Sequence, residues 1–128
     1  MRHKKKRAIQ LSAWPQKRSL VLRNLITSLV THGAIQTTSK RAQALQSRAD
    51  SFFSKLVNCY EMYDEDNVRR ELIRRVKEIV TTDQAWTKLV DDLVPRWNEE
   101  KRSFWFVQTL KVWNRIWDNA QKVLVRIQ

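Results

Sequence analysis

Apolar residues return every three or four positions through most of this chain, and near its C-terminus they begin to alternate one by one. A spacing near 3.6 builds helices with one buried stripe, and a spacing of two builds strands with one buried face. The change of period predicts an α+β fold. Its order is helix, strand, three helices, two strands, with a small sheet completed by a C-terminal hairpin.

The helical stripes place the elements. Leu22, Leu25, Ile26 and Leu29 fall at i, i+3, i+4 and i+7, predicting a first helix from near Ser12 or Pro15 to Gly33. Proline suits a first turn and glycine the left-handed residue just past a helix end. The side away from that stripe would carry Arg23, Asn24, Thr27 and Thr31, with Lys17 and Arg18 at the start. Ala34–Thr38 reads as a short extended segment, after which Thr38 or Ser39 can cap a second helix through its hydroxyl. That helix presents Ala42, Leu45, Ala49, Phe52, Phe53, Leu56 and Tyr60 on one side, with Lys40, Arg41 and Arg48 continuing a positive strip. Glu61 to Asn67 reads as a solvated loop.

A third helix over roughly 68–80 points Leu72, Ile73, Val76 and Ile79 inward. Its outer face pairs Glu71 with Arg75 and Arg74 with Glu78 at i,i+4 spacing, the mark of a solvated, charge-balanced surface. Asp83 can cap a fourth helix with the stripe Trp86, Leu89, Val90, Leu93, Val94 and Trp97, which Pro95 is expected to end or distort. Phe104, Phe106, Leu110 and Val112 then alternate against Trp105, Val107 and Trp113, and Val123, Val125 and Ile127 against Lys122, Leu124 and Arg126. Asn114 to Gln121 joins the two strands. Apolar residues on both sides of the first predict an internal strand, with Ala34–Thr38 as the third.

Charge narrows the function. Residues 1–49 hold eleven Lys and Arg and no acid; residues 50–128 hold the other fourteen bases and all thirteen acids. A chain of 128 residues is one domain by length, here spanning 1–128 with residues 1–11 as a basic arm. Such an asymmetric +12 charge calls for a polyanion, either nucleic acid or an anionic membrane surface. No apolar run is long enough to span a bilayer. The opening MRHKKKRAIQ is basic and acid-free like an organellar targeting peptide, but such peptides are rich in Arg, whereas this one is short, dominated by Lys and runs straight into the first periodic segment. An arm ordered by its partner fits better.

Chemistry-bearing patterns are missing. A single glycine leaves no phosphate-cradling Gly-rich loop, and the two histidines, His3 and His32, have no ligand-spaced partners. Cys59 sits on the predicted inward side of the second helix as a small apolar residue. We therefore expect no catalytic residue, metal, cofactor or small-molecule substrate. Of the tryptophans, Trp86 and Trp97 fit a helix core, Trp105 and Trp113 a strand face under a helix, and Trp14 and Trp117 fall in irregular segments where stacking on bases competes with packing.

A sequence-reading DNA-binding regulator would want a compact helix pair aimed into one groove. Here the basic residues straddle an arm, one helix face and the start of another helix, a footprint suited to the backbone of a folded RNA. The DNA regulator remains the alternative, with a membrane-surface or protein-binding module behind it.

Met1-Arg2-His3, Leu11, Arg18, Arg23-Asn24, Ser28-Leu29, His32, Ile35 and Thr37-Thr38 resemble the N-terminal signature of the bacterial large-subunit ribosomal protein numbered seventeen. The Lys40, Arg41, Ala42 and Leu45 helix, Leu93-Val94-Pro95-Arg96 and Asp118-Asn119-Ala120 extend the resemblance along the chain. It departs where the family's opening glycine is absent, where Lys17 replaces a histidine, and where Lys101 and Arg102 stand for a common Gly-Gly. The resemblance implies a two-layer fold with the element order above and a structural place in the large subunit, in the cytoplasm or, as the lesser alternative, an organellar matrix. It implies binding to large-subunit (23S) rRNA beside other ribosomal proteins near the tunnel exit, with no membrane partner. It marks Arg2, His3, Arg18, Arg23, Asn24, Ser28, His32, Thr37 and Thr38 as candidate RNA contacts; the charge pattern adds Lys4, Lys5, Lys6, Arg7, Lys17, Lys40 and Arg41.

Overall fold

The computed structural model describes residues 15–128, with side chains from 17 onward. The expectations for the 1–11 arm, Trp14 and a helix start near Ser12 lie outside that range. Helix α1 runs Pro15–His32, strand β1 Ala34–Thr38, α2 Ser39–Met62 and α3 Glu65–Lys77. Helix α4 (Asp83–Lys88) passes through a π-helical turn at Leu89–Leu93 into α5 (Val94–Glu99), followed by β2 (Val107–Asn114) and β3 (Gln121–Ile127). This is the expected α+β arrangement of a helical layer on a three-stranded antiparallel sheet.

Helix α1 ends as its single glycine predicts. Gly33 adopts φ 79°, and its N–H donates to the carbonyl of Leu29 at 2.8 Å, the left-handed cap that closes a helix. Lys88 Nζ adds a 3.5 Å contact to the carbonyl of Thr31 in the last turn. Ile26, Leu29 and Val30 are buried. Thr27, expected on the outer side, is buried too: its hydroxyl donates to the carbonyl of Arg23 (2.8 Å) and accepts the N–H of Thr81 (3.3 Å), tying α1 to the segment after α3.

Helix α2 is the spine. Ala42, Leu45, Ala49, Phe52, Phe53, Leu56, Val57 and Cys59 are buried, with Tyr60 half-buried beside them. Cys59 is the expected inward small residue: its thiol donates to the carbonyl of Lys55 at 3.3 Å, and burial pushes its pKa up. Thr38 takes the extended N-cap geometry without a side-chain bond, so neither it nor Ser39 supplies the predicted hydroxyl cap.

The acidic stretch read as a loop is mostly helical. Helix α2 continues to Met62 and α3 starts at Glu65, leaving only Tyr63 and Asp64 between them. Glu65 and Asp66 fall in the first turn of α3, where acids complement the positive end of the helix dipole. Asp64 accepts the N–H groups of Asn67 and Val68 on its backbone carbonyl. Both predicted charge pairs of α3 form: Arg75 to Glu71 at 2.8 Å and Arg74 to Glu78 at 3.3 Å. Arg74 also reaches Glu71 at 2.5 Å, and these two guanidiniums hold the Glu71 carboxyl down at about 2.

Pro95 distorts rather than ends its helix. The proline lacks an N–H for the carbonyl four residues back, and the chain widens just before it: the N–H of Val94 reaches the carbonyl of Leu89, a π-type bond. The helix then runs on to Glu99, which keeps Leu93, Val94 and Trp97 buried. Thr82 rather than Asp83 is the N-cap of α4; Asp83 instead accepts the indole N–H of Trp86 at 3.0 Å.

Strand β3 is central, between β1 and β2, so β2 is an edge strand and not the internal one expected. The register pairs Ile35 and Thr37 of β1, and Thr109 and Lys111 of β2, with Val125 and Val123 of β3. Those residues share the face turned to the helices, where Val123 and Val125 are buried. Apolar side chains on both sides of β2 had implied cover on both sides, but Leu110, Val112 and Trp113 are exposed on it, with Trp105 exposed just before it. A bulge between Lys111 and Trp113 puts Trp113 opposite Lys122. The carboxylate of Asp50 on α2 accepts the N–H groups of Phe106 and Val107, each at 3.1 Å, and fixes where the hairpin leaves the helical layer. On the approach, Lys101 takes φ 53° and Trp105 φ 65°, left-handed conformations that glycine adopts most readily.

Two outcomes follow from this fold. No atom lies within 4 Å of a Cβ built on Gly33, so Gly33→Ala should destabilise through the left-handed backbone alone, by about 1–2 kcal/mol in urea unfolding, and Gly33→Asn by less. Because the folded-state pKa of Glu71 is depressed, its contribution is present above the ordinary value of 4.5 and lost as pH falls toward 2. The unfolding midpoint of the wild type should therefore fall across that window by more than that of Glu71→Gln.

Candidate nucleic-acid interface

At 100° per residue, a helix divides its side chains among faces that a linear sequence runs together. Lys17, Asn24 and Ser28 project from α1 within about 40° of one another, with His32 close by. Lys17, Asn24 and His32 are exposed and Ser28 half-buried, so these four form one outward polar stripe. Arg18 and Arg23, expected on that same side, are both half-buried and flank the opposite side of α1, toward α2 and the residues that follow α3.

There they line a concavity of about 520 Å³ with Ser19, Leu22 and Ile26 of their own helix, Arg48 of α2, and Glu78 and Ile79 at the end of α3. Arg23 Nε is buried within the fold without a hydrogen-bond partner. A second concavity of about 440 Å³ shares Arg48, Glu78 and Ile79, and adds Ser51, Phe52, Lys55, Leu56, Arg74 and Arg75. The two form a groove walled by arginines and floored by apolar side chains. Apart from Arg23, whose Nε is buried, long cationic stems against such a floor hold their charged heads toward the open side.

Helix α2 presents its cations differently. Arg41, Arg48 and Lys55 are exposed and stand at i, i+7 and i+14, a spacing that drifts only about 20° per seven residues. They make one basic ridge about 21 Å long at 1.5 Å per residue. Lys40 is exposed beside its start. Lys55 was not among the sequence candidates. The seven-residue step from Arg48 was the available signal, hidden because Lys55 falls beyond the acid-free segment. Glu78 is the other unforeseen member. It enters the groove from the charge-balanced part of the chain, so the basic surface is not wholly without an acid.

Of the other candidates, Thr37 is buried on the helix-facing side of the sheet and Thr38 is half-buried on the opposite face. Thr37, 7% exposed, is thus chiefly a packing residue. Arg2, His3, Lys4, Lys5, Lys6 and Arg7 lie outside the described residues. Arg74 and Arg75 line the groove, yet Glu71 holds both and Glu78 also meets Arg74. Their charge is spent within α3, whereas that of Arg41 and Arg48 stands on an open surface. Among the described residues there is no group of His, Cys, Asp or Glu placed to hold a metal ion, and no helix long and apolar enough to cross a membrane.

Residues 21–128 match the family model described as ribosomal protein L17. The chain is 34% identical to the large ribosomal subunit protein bL17 of Thermotoga neapolitana, over 99% of this chain and 94% of that one. It is 30% identical to the protein of the same name from Neorickettsia sennetsu, over 98% and 97%, and 28% identical to that from Fervidobacterium nodosum, over 99% and 98%. With its family model matched across both the helical layer and the hairpin, the chain belongs to the ribosomal protein L17 family.

Proposed function

We propose that this chain is a structural component of the large ribosomal subunit that binds and stabilises large-subunit rRNA, without catalysis, through four basic or polar regions of a single domain. Arg41, Arg48 and Lys55 form a ridge for phosphates on α2, with Lys40 at its head. Arg18 and Arg23 line the adjoining groove, while Lys17, Asn24, Ser28 and His32 present polar groups from the far side of α1. The arm, with Arg2, His3 and the run from Lys4 to Arg7, extends the contact. Neighbouring large-subunit proteins near the tunnel exit and the charge-balanced face of α3 complete the setting.

The observation that carries this reading is the convergence of Arg18, Arg23 and Arg48 on one open concavity beside the α2 ridge, in a chain whose family is ribosomal. Guanidinium groups suit phosphate because their planar donors can meet two oxygens at once. Contacts of this kind grip a backbone and set orientation, which is what a scaffold for a folded RNA requires.

Alanine at both Arg41 and Arg48 should leave the urea unfolding midpoint nearly unchanged and reduce the slope of log affinity against log salt for large-subunit rRNA by about 1.5–2. Alanine at Arg74 and Arg75 should lower stability but change that slope little. Equal slopes for the two pairs would overturn the division of faces. In a sucrose gradient of native extract the wild type should comigrate with large subunits; sedimentation apart from them, or preferential retention on duplex DNA, would overturn the function itself.

A further inference from the structure

The C-terminal hairpin leaves large apolar groups uncovered: Trp113 is 48% exposed, Trp117 77% and Ile116 99%. Exposed aromatics at the end of a loose turn would carry little meaning, but this turn is tightly bonded. The N–H of Arg115 donates to the carbonyl of Ala120 at 2.9 Å, and the N–H of Asn119 to the carbonyl of Arg115 at 2.8 Å, with Asn119 in the left-handed region at φ 53°. Asp118 accepts from the N–H of Ala120 at 3.0 Å and from the Arg115 guanidinium at 3.0 and 2.5 Å. So fixed, the guanidinium lies 4.3 Å from the centroid of the Trp117 ring. One face of the indole is covered by a cation, and the high exposure of the residue places its other face toward solvent.

The charges nearby say what would fit that face. Between residues 107 and 127 the bases are Lys111, Arg115, Lys122 and Arg126, and the one acid, Asp118, is engaged by Arg115. Lys122 stands directly across from Trp113, and Arg126 from Gln108, on the side of the sheet turned away from the helices. An apolar protein surface laid over this face would have to bury Lys122, and Arg126 held by the neutral amide of Gln108 at 2.8 Å, with no acid to offset either charge, which is costly. A strand of RNA offers both things the face lacks: a π-surface in each unpaired base and a phosphate between successive bases.

We propose that the hairpin is a second RNA contact, in which an unpaired nucleobase stacks on the open face of Trp117 and Lys122 and Arg126 meet the phosphates of the same strand. It rests on the rRNA-binding reading above and adds to it a preference for unpaired over duplex RNA at this site. The covering guanidinium pre-orients the indole, so a stacked base completes a sandwich of cation, indole and base.

Fluorescence anisotropy with the full chain separates this from the wider reading, using a labelled oligoadenylate of about twelve nucleotides and a blunt RNA duplex of similar length. Trp117→Ala should weaken oligoadenylate binding by about tenfold, Trp117→Phe by under about threefold, and neither should alter the salt slope or duplex binding. Oligoadenylate affinity of Trp117→Ala equal to wild type would overturn the proposal and leave the patch to a protein neighbour, and so would equal losses on both RNAs. Alanine at Arg41 and Arg48 should weaken both RNAs. If that pair weakens binding while Trp117→Ala does not, the hairpin proposal alone fails; if the wild type binds neither RNA, both readings fail.

Discussion

Phe53 of α2 meets Trp97 of α5 at 4.9 Å and Phe106, at the start of the hairpin, at 6.2 Å, and the latter two rings meet each other at 4.9 Å. All three residues are fully buried. This junction joins the middle of the long helix, the last helix and the sheet, and the rest of the architecture is registered on it. Trp97 has a polar edge that must be satisfied in such a place, and its indole N–H donates to the backbone oxygen of Gln128 at 3.1 Å. The N–H of Gln128 in turn donates to the carbonyl of Phe106 at 3.0 Å, so the end of β3 is bonded back to the junction from two directions. Asp50, one turn before Phe53, holds the N–H groups of Phe106 and Val107.

Because that junction fixes the roll of α2, it also fixes what α2 shows to the outside. A helix with Ala49, Phe53 and Leu56 inward places Arg41, Arg48 and Lys55 about 100° round from them, on an exposed flank, and the seven-residue repeat keeps them in one row. Core packing thus sets the direction of the cations, while the charge pattern sets how available they are. Arg74 and Arg75 lie in the same groove as Arg48, yet their neighbours four residues or fewer away on α3 are glutamates. Residues of one type within one groove are therefore divided into those that hold the protein's own surface together and those that can meet an outside anion.

Local periodicity made the element order and most of the core legible, since Leu45, Phe53, Leu72, Leu89 and Val125 each sit at the spacing of their own helix or strand. Faces were less legible. Thr27 and Thr37 are polar by type, but Thr27 bonds to the backbone of Arg23 and Thr81, and Thr37 pairs with Val123 on the covered side of the sheet, so both are buried by tertiary partners. Glu65 and Asp66 read as loop because acids favour solvent, although acids also favour a helix N-terminus. Edge and centre could not be told apart for β2: an apolar outer face reads the same whether this chain or another molecule covers it. Within the candidate interface, the α2 ridge was partly visible from Arg41 and Arg48. The meeting of Arg18, Arg23 and Glu78 required the packing of α1 on the end of α3.

If the cationic surface fixed by core packing engages the phosphates of a folded RNA, as proposed, binding releases counterions and depends steeply on salt. Binding of the full chain to large-subunit rRNA should weaken by about three to five decades between 50 and 200 mM monovalent salt, as expected when about six to ten phosphates are neutralised. Affinity that stays flat across that range would mean that this surface does not grip phosphates.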